Sequence, residues 1–131
     1  GYQGMSFHLF HLKIEKSERC GVVVEGTKRN TMSNCQVSHS KWSGVYVNGG
    51  LITINGSGTS IHNNVTGGSS FCYGLHTNTS SSSIHLVSPL TKESVSINNG
   101  GGGNYGGKGL IAIVDNEGTI VTTIQEASDD Y

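Results

Sequence analysis

Lysine and histidine supply most of the ionisable side chains in the middle of this chain. Between Glu25 and Glu93 there is no aspartate or glutamate at all. A pair of neighbouring carboxylates, which many hydrolytic mechanisms need as acid and base, is therefore missing from the central half of the sequence. Lys41 and His39 remain as candidate bases for an enzyme that works without a metal ion.

The cysteines and histidines do not form a metal-binding pattern. The three cysteines contain no Cys-x-x-Cys pair, and none of the six histidines stands at a ligand spacing from them. The glycine-rich stretch Gly100–Lys108 leads into another strand-like segment and not into a helix, which a phosphate-binding loop requires. We therefore expect neither a metal ion nor a cofactor.

Composition limits the partners of the chain. The 131 residues carry a net charge of −1, include only two arginines and are 13% charged. Binding to nucleic acid through phosphate neutralisation needs clustered basic residues, so we expect no nucleic-acid partner. No apolar stretch approaches the roughly 20 residues that span a bilayer, so we expect no membrane span either.

An internal repeat organises the sequence. Short β-branched segments follow Gly21, Gly44, Gly74 and Gly109, which lie 23, 30 and 35 residues apart. Periods of this length are typical of stacked repeat architectures, and the turns of Gly, Asn and Ser between the segments favour strands over helices. The pattern predicts a parallel β-helix, in which each turn of the coil adds one strand to each of three sheets.

The repeat also predicts which side chains face the interior. In a parallel stack, equivalent residues of successive turns lie over one another. We expect the inward set to be Val22, Val24, Val45, Val47, Ile61, Leu75, Ile97 and Leu110. The glycine-rich segment Gly100–Gly107 has no strand preference and is predicted to be an exposed, mobile loop.

The outward positions suggest a binding face. Tyr46 and His76 lie two residues after Gly44 and Gly74, so they should stack directly, with Asn48 and Asn78 two residues further on. An aromatic side chain among small hydrogen-bonding groups on a flat sheet suits a sugar chain. We therefore predict Tyr46, Asn48, His76 and Asn78 as binding residues for a polysaccharide.

Two segments resemble a known family. Ser33-Asn34-Cys35-Gln36-Val37-Ser38 followed by Gly44-Val45-Tyr46-Val47 resembles the right-handed β-helix repeat family, whose coil is shared with pectate lyases and polygalacturonases. The stretches Leu51–Gly58 and Ile84–Gly107 resemble β-helix proteins of algae and their large viruses. The resemblance implies a right-handed single-stranded parallel β-helix of about four to five turns. The expected organisation is an N-terminal first turn or cap at residues 1–20, a coil at 21–125 and an acidic tail at 126–131.

The same resemblance weakens the case for an enzyme. Polygalacturonases place several aspartates on adjacent strands, and pectate lyases hold calcium with carboxylates, but the acid-free interval removes both arrangements. We therefore expect a non-catalytic scaffold or surface module that binds polysaccharide, with an extracellular or surface location favoured. A metal-independent polysaccharide lyase using Lys41 and His39 is the first alternative. A purely structural segment of a larger assembly is the second, because the two open ends of a short coil favour capping by another copy or by flanking sequence.

Overall fold

Short strands make up most of the computed structural model, which describes residues 6–128. Residues 1–5 of the predicted cap and 129–131 of the predicted tail lie outside the described part. Within it there is one helix, α1 at Lys92–Val95, and there are 14 strands, which in chain order are β1 His8–Phe10, β2 Lys13–Glu15, β3 Val22–Glu25, β4 Asn30–Ser33, β5 Gln36–Ser38, β6 Val45–Asn48, β7 Gly50–Asn55, β8 Ser60–His62, β9 Leu75–Thr77, β10 Ser82–Val87, β11 Ser96–Ile97, β12 Tyr105–Gly107, β13 Leu110–Val114 and β14 Ile120–Gln125.

The strands form three sheets. Sheet 1 has the order β1-β4-β7-β10-β13-β14, sheet 2 has the order β11-β8-β5-β2, and sheet 3 has the order β12-β9-β6-β3. Up to β13, each strand pairs in parallel with the strand three places along the chain. The last pair, β13 with β14, is antiparallel.

The predicted right-handed single-stranded parallel β-helix of about four to five turns is wrong as a description of this chain. Three sheets were expected, but the structure has separate sheets of six, four and four strands, and sheet 1 ends in an antiparallel strand and not in a further parallel one. The helix α1 also interrupts the strand pattern. A capping box holds its start, because the side chains of Thr91 and Ser94 each accept a hydrogen bond from the backbone N–H of the other residue. The repeat predicted parallel pairing between segments, but repeat spacing alone does not specify how the sheets are joined or how they end.

The register of sheet 3 confirms part of the predicted stacking. Val22 lies opposite Val45, and Val45 lies opposite Leu75. The next partner is Tyr105, because Leu110 pairs instead with Ser83 in sheet 1. The segment after Gly109 therefore belongs to a different sheet from the segments after the other three repeat glycines.

Most of the predicted inward residues are buried, with two exceptions. Leu110 is only partly buried, and Ile97 is 40% exposed because Ser96, and not Ile97, pairs with Ile61. A shift of one residue moves a strand's side chains to the opposite face of the sheet. The apolar interior is a single cluster of Val22, Val24, Met32, Cys35, Val37, Val45, Val47, Ile52, Ile54, Ile61, Leu75, Ile84, Leu86, Leu90, Val95 and Ile111.

Close packing explains the repeat glycines. A Cβ atom added at Gly44 would lie 2.5 Å from the Ile61 side chain and 2.8 Å from the Gly74 carbonyl oxygen. Neither distance is tolerable for a carbon atom, so only glycine fits where the chain enters β6. The glycines are thus determined by the approach of neighbouring segments.

Asparagine side chains join successive segments at one corner of the structure. The buried Asn64 accepts a hydrogen bond from the Ser40 N–H at 3.0 Å and donates to the Val37 carbonyl at 3.0 Å. It also donates to the Asn99 Oδ1 at 3.0 Å. These bonds satisfy backbone groups that the corner leaves without a strand partner.

The glycine-rich segment is only partly the predicted loop. Gly100–Gly102 are exposed, but Tyr105–Gly107 form β12 and pair with β9, and Gly106 is buried. The pairing is parallel to an existing strand, so the neighbouring segment supplies the order that local propensity lacks. No helix of residues 6–128 is long and apolar enough to cross a membrane.

Candidate functional site

A cleft opens on sheet 3 beside the segments that lead into β3, β6 and β9. Its volume is about 320 Å³. We call it the Trp42 cleft, and it is lined by Arg19, Cys20, Val23, Glu25, Trp42, Ser43, Tyr46, Asn48, Cys72 and His76. Three of the four predicted binding residues are among these.

Tyr46 and His76 are register partners, as the glycine alignment predicts. They lie opposite each other in β6 and β9, and their rings meet edge to face with centroids 4.9 Å apart. Tyr73 packs on the His76 ring from another side at 5.1 Å. The two tyrosines cover the imidazole, which is only 8% exposed. His76 therefore packs beside Tyr46 and contributes little surface to the cleft, and the prediction that both rings share an open face is wrong for His76.

A hydrogen bond fixes the orientation of His76. Its Nδ1 lies 2.8 Å from the Ser43 Oγ, which also accepts the Tyr73 backbone N–H at 3.1 Å. Burial lowers the pKa of His76 from 6.5 to about 4, so the ring is neutral at pH 7. Ser43 itself has no exposed surface. Ser43 and His76 are residue types that form a nucleophile and its base in some enzymes. Here a substrate cannot reach the buried Ser43 hydroxyl.

Trp42 and Arg19 form the outer wall of the cleft. The Arg19 guanidinium carbon lies 5.4 Å from the centroid of the Trp42 ring, within cation–π range. Trp42 is nevertheless 42% exposed. The stacked guanidinium holds the indole in place and leaves part of the ring free for a ligand.

Asparagine and glutamate supply polar groups at the far end. Asn48 lines the cleft, lies opposite Glu25 in the sheet, and its Oδ1 accepts a hydrogen bond from the Asn78 side-chain amide at 3.1 Å. Asn78 is exposed and does not line the cleft. It is connected to the site only through its hydrogen bond to Asn48. Burial, and then the nearby Cys20, raises the pKa of Tyr46, so its hydroxyl remains a hydrogen-bond donor at neutral pH.

Two unpaired thiols also line the cleft. Burial raises the pKa of Cys20, with a smaller opposing effect from the Ser43 backbone, so the thiol is protonated at neutral pH and is a weak nucleophile. Across residues 6–128, no three His, Cys, Asp or Glu side chains are grouped closely enough to hold a metal ion. The chemistry of the cleft is therefore that of aromatic stacking and hydrogen bonding.

The two candidate bases lie in a second cleft, which we call the Lys41 cleft. Its volume is also about 320 Å³, and it is lined by Lys16, Ser17, Glu18, His39, Lys41, Thr66 and Gly67. The backbone holds the rim together, since the Lys41 N–H donates to the Ser17 carbonyl and the Lys41 carbonyl accepts the Gly67 N–H. The structure thus brings His39 and Lys41 together, and adds Lys16.

Sequence reasoning missed Trp42, Arg19 and the two thiols. These residues precede the strands, and strand alternation does not apply to them. One signal could have found part of the site. Counting back from the repeat glycines places Cys20, Ser43 and Tyr73 in one column, directly before Gly21, Gly44 and Gly74. The only tryptophan of the chain stands one residue before that column.

No protein-family model, curated protein or solved structure matches the chain. The resemblance to the β-helix repeat family therefore stays a prediction, and the function has to be inferred from the geometry of the clefts.

Proposed function

We propose that the chain is a non-catalytic binding module and that the Trp42 cleft binds carbohydrate. The observation that carries the proposal is a partly exposed indole, held by Arg19, at the mouth of a cleft that also presents Tyr46 and Asn48. The apolar face of a sugar ring packs on an aromatic ring, while its hydroxyls need donors and acceptors around the rim. This combination of groups supplies both.

Each wall has a distinct part in binding. Trp42 offers a flat apolar surface, and the Tyr46 hydroxyl and the Asn48 amide offer hydrogen bonds. His76 is covered and supports Tyr46 without touching the ligand. Asn78 acts through its hydrogen bond to Asn48. The protonated Cys20 and the inaccessible Ser43 favour binding over covalent chemistry.

A glycan array tests this proposal. We expect the native protein to bind a subset of polysaccharides, and Trp42→Ala to lose at least about tenfold in affinity, since each 1.4 kcal/mol corresponds to tenfold. Phe10→Ala is the matched control, because Phe10 is an exposed aromatic residue outside the Trp42 cleft. Equal loss in both variants, or no loss in Trp42→Ala, would contradict the assignment of the site.

A metal-independent polysaccharide lyase is the second candidate, favoured by the presence of His39, Lys41 and Lys16 in one cleft. In such a reaction a base removes the proton next to a uronate carboxylate, a cation stabilises the carboxylate, and the glycosidic oxygen leaves as a new double bond forms. The unsaturated product absorbs ultraviolet light. Turnover of pectate, alginate or a glycosaminoglycan that disappears in Lys41→Ala or His39→Ala would replace the non-catalytic proposal. If the protein shows neither carbohydrate binding nor turnover, the purely structural role in a larger assembly remains.

A further inference from the structure

The outer edge of β14 differs from every other sheet edge in the described part of the chain. The three sheets end in β1 and β14, in β11 and β2, and in β12 and β3. Five of these strands contain two to four residues, whereas β14 contains six. Short strands and charged side chains are the usual means by which proteins prevent an edge from pairing with another chain.

The other edges are short and two of them are also charged, whereas β14 is long and uncharged, and its only irregularities are two register shifts against β13, at Val121 and Ile124. The edge strand β2 contains Lys13 and Glu15, and β3 ends in Glu25. From Gly118 to Gln125 there is neither a charged residue nor a proline. Ile120 is 48% exposed and Val121 is 62% exposed. A six-residue β-branched segment without charge is the kind of strand that pairs with its own copies.

The strand is held firmly enough to act as a template. Its C-terminal end is tied down because the Gln125 side-chain amide donates to the Gly109 carbonyl at 2.8 Å and to the Thr77 hydroxyl at 3.0 Å. Ile124 packs against the apolar core. The following Ser128 N–H donates to the Lys108 carbonyl at 2.8 Å. The exposed half, Ile120–Thr123, therefore extends along β13 with its far edge unpaired in the described structure.

We propose that two copies of this chain associate through β14, antiparallel and across a two-fold axis, so that sheet 1 continues from one copy into the other. Among the edge strands that a second copy offers, its own β14 fits best, because β14 against β14 aligns about 20 Å of uncharged strand. Pairing of β14 with β1 of another copy would align only the three residues His8–Phe10. Head-to-tail pairing of that kind would also continue into open chains of copies.

The dimer should be weak and should respond to salt. A single strand pair buries less surface than the roughly 800 Å² per partner of a standard stable interface. At each end of the antiparallel pair, Glu117 of one copy lies near Glu126 of the other, and these carboxylates repel each other. We therefore expect association at micromolar concentrations that strengthens as ionic strength rises.

Sedimentation equilibrium over a concentration series tests the proposal. We expect the mass to rise from 13.8 kDa toward twice that value and to stop there. Val121→Lys and Val121→Glu should each remain monomeric, because a charged side chain on an edge strand opposes its pairing with another chain. Phe71→Lys is the matched control, because it removes an exposed apolar side chain from a loop and should leave the dimer unchanged. Circular dichroism of each variant checks that it is folded.

Each other result contradicts the proposal. A native protein that stays monomeric at all concentrations overturns it. A dimer that survives in both Val121 variants places the interface elsewhere. If the native mass grows beyond that of a dimer and this growth is reduced in Phe10→Lys, the copies pair head to tail through β1. The test does not involve carbohydrate, so its outcome is independent of the proposed function.

Discussion

At the scale of single residues, the buried imidazole of His76 links the site to stability. The ring lies between Tyr46 and Tyr73 and is hydrogen-bonded to Ser43. A charge placed there would lack water, which is why burial lowers its pKa to about 4. The unfolded chain has no such restriction and keeps the ordinary value of 6.5.

His76 therefore makes the free energy of unfolding depend on pH. Between pH 6.5 and pH 4 the ring binds a proton in the unfolded state but stays neutral in the folded state. The contribution of His76 to the free energy of unfolding is therefore fully present above pH 6.5 and is lost as pH falls through this window. The loss is on the order of 3 kcal/mol, since one pKa unit corresponds to about 1.4 kcal/mol.

Urea unfolding at a series of pH values measures this effect. His76→Gln removes the titrating group and should flatten the pH dependence across the window. Burial also lowers the pKa of His85, so His85→Gln serves as the control for the contribution of that second ring. If His76→Gln keeps the full slope, the ring is not the group that resists protonation.

At the scale of elements, the close approach of segments at Gly44 predicts a large effect of a small substitution. Gly44→Ala would put a methyl group 2.5 Å from Ile61 and 2.8 Å from the Gly74 carbonyl oxygen. Overpacking of this kind typically costs about 1–3 kcal/mol of unfolding free energy. Gly58→Ala is the control, because the added methyl group would lie 3.1 Å from the end of the Asn34 side chain. Thermal unfolding of both variants compares them, and equal stability would show that the segments do not pack as described.

The elements also show how much of the fold the sequence predicts. Segments that begin with glycine and an apolar residue led correctly to the pairing of β3, β6 and β9, because close packing requires the glycines and the interior requires the apolar side chains. Leu110 was misplaced because the segment after Gly109 has the same local pattern but a different partner strand. Local sequence does not record which of three sheets a segment joins. The strand β12 was missed because glycine has low strand propensity and the order comes from β9.

The site was predictable where it lies on strands and, in part, in the residues just before the repeat glycines. Tyr46 and Asn48 follow from alternation along β6, and the stacking of Tyr46 on His76 follows from the repeat. The burial of His76 could not be foreseen, because Tyr73 covers it from outside the strand. Trp42 and Arg19 each stand two residues before a repeat glycine, so the 23-residue spacing brings them together, but the sequence does not predict their cation–π contact. Such contacts depend on the path of the connecting segments.

At the scale of the whole molecule, the two proposals concern different surfaces. A net charge of −1 provides little long-range attraction for a polyanion, so the proposed recognition of carbohydrate would depend on the short-range groups of the Trp42 cleft. The cleft lies beside β3, β6 and β9 of sheet 3, whereas the unprotected edge belongs to β14 of sheet 1. The two surfaces are composed of different residues, so association and carbohydrate binding can be measured separately.

Fluorescence of the single tryptophan tests the central claim most directly. Trp42 is the only tryptophan in the chain, so its emission reports on the cleft alone. We expect titration with an oligosaccharide identified on the array to shift the emission in a saturable way, with a Kd that agrees with calorimetry. In Tyr46→Ala the same titration should require at least about tenfold more ligand. Calorimetric binding that leaves the Trp42 emission unchanged would show that the carbohydrate binds elsewhere and would contradict the account.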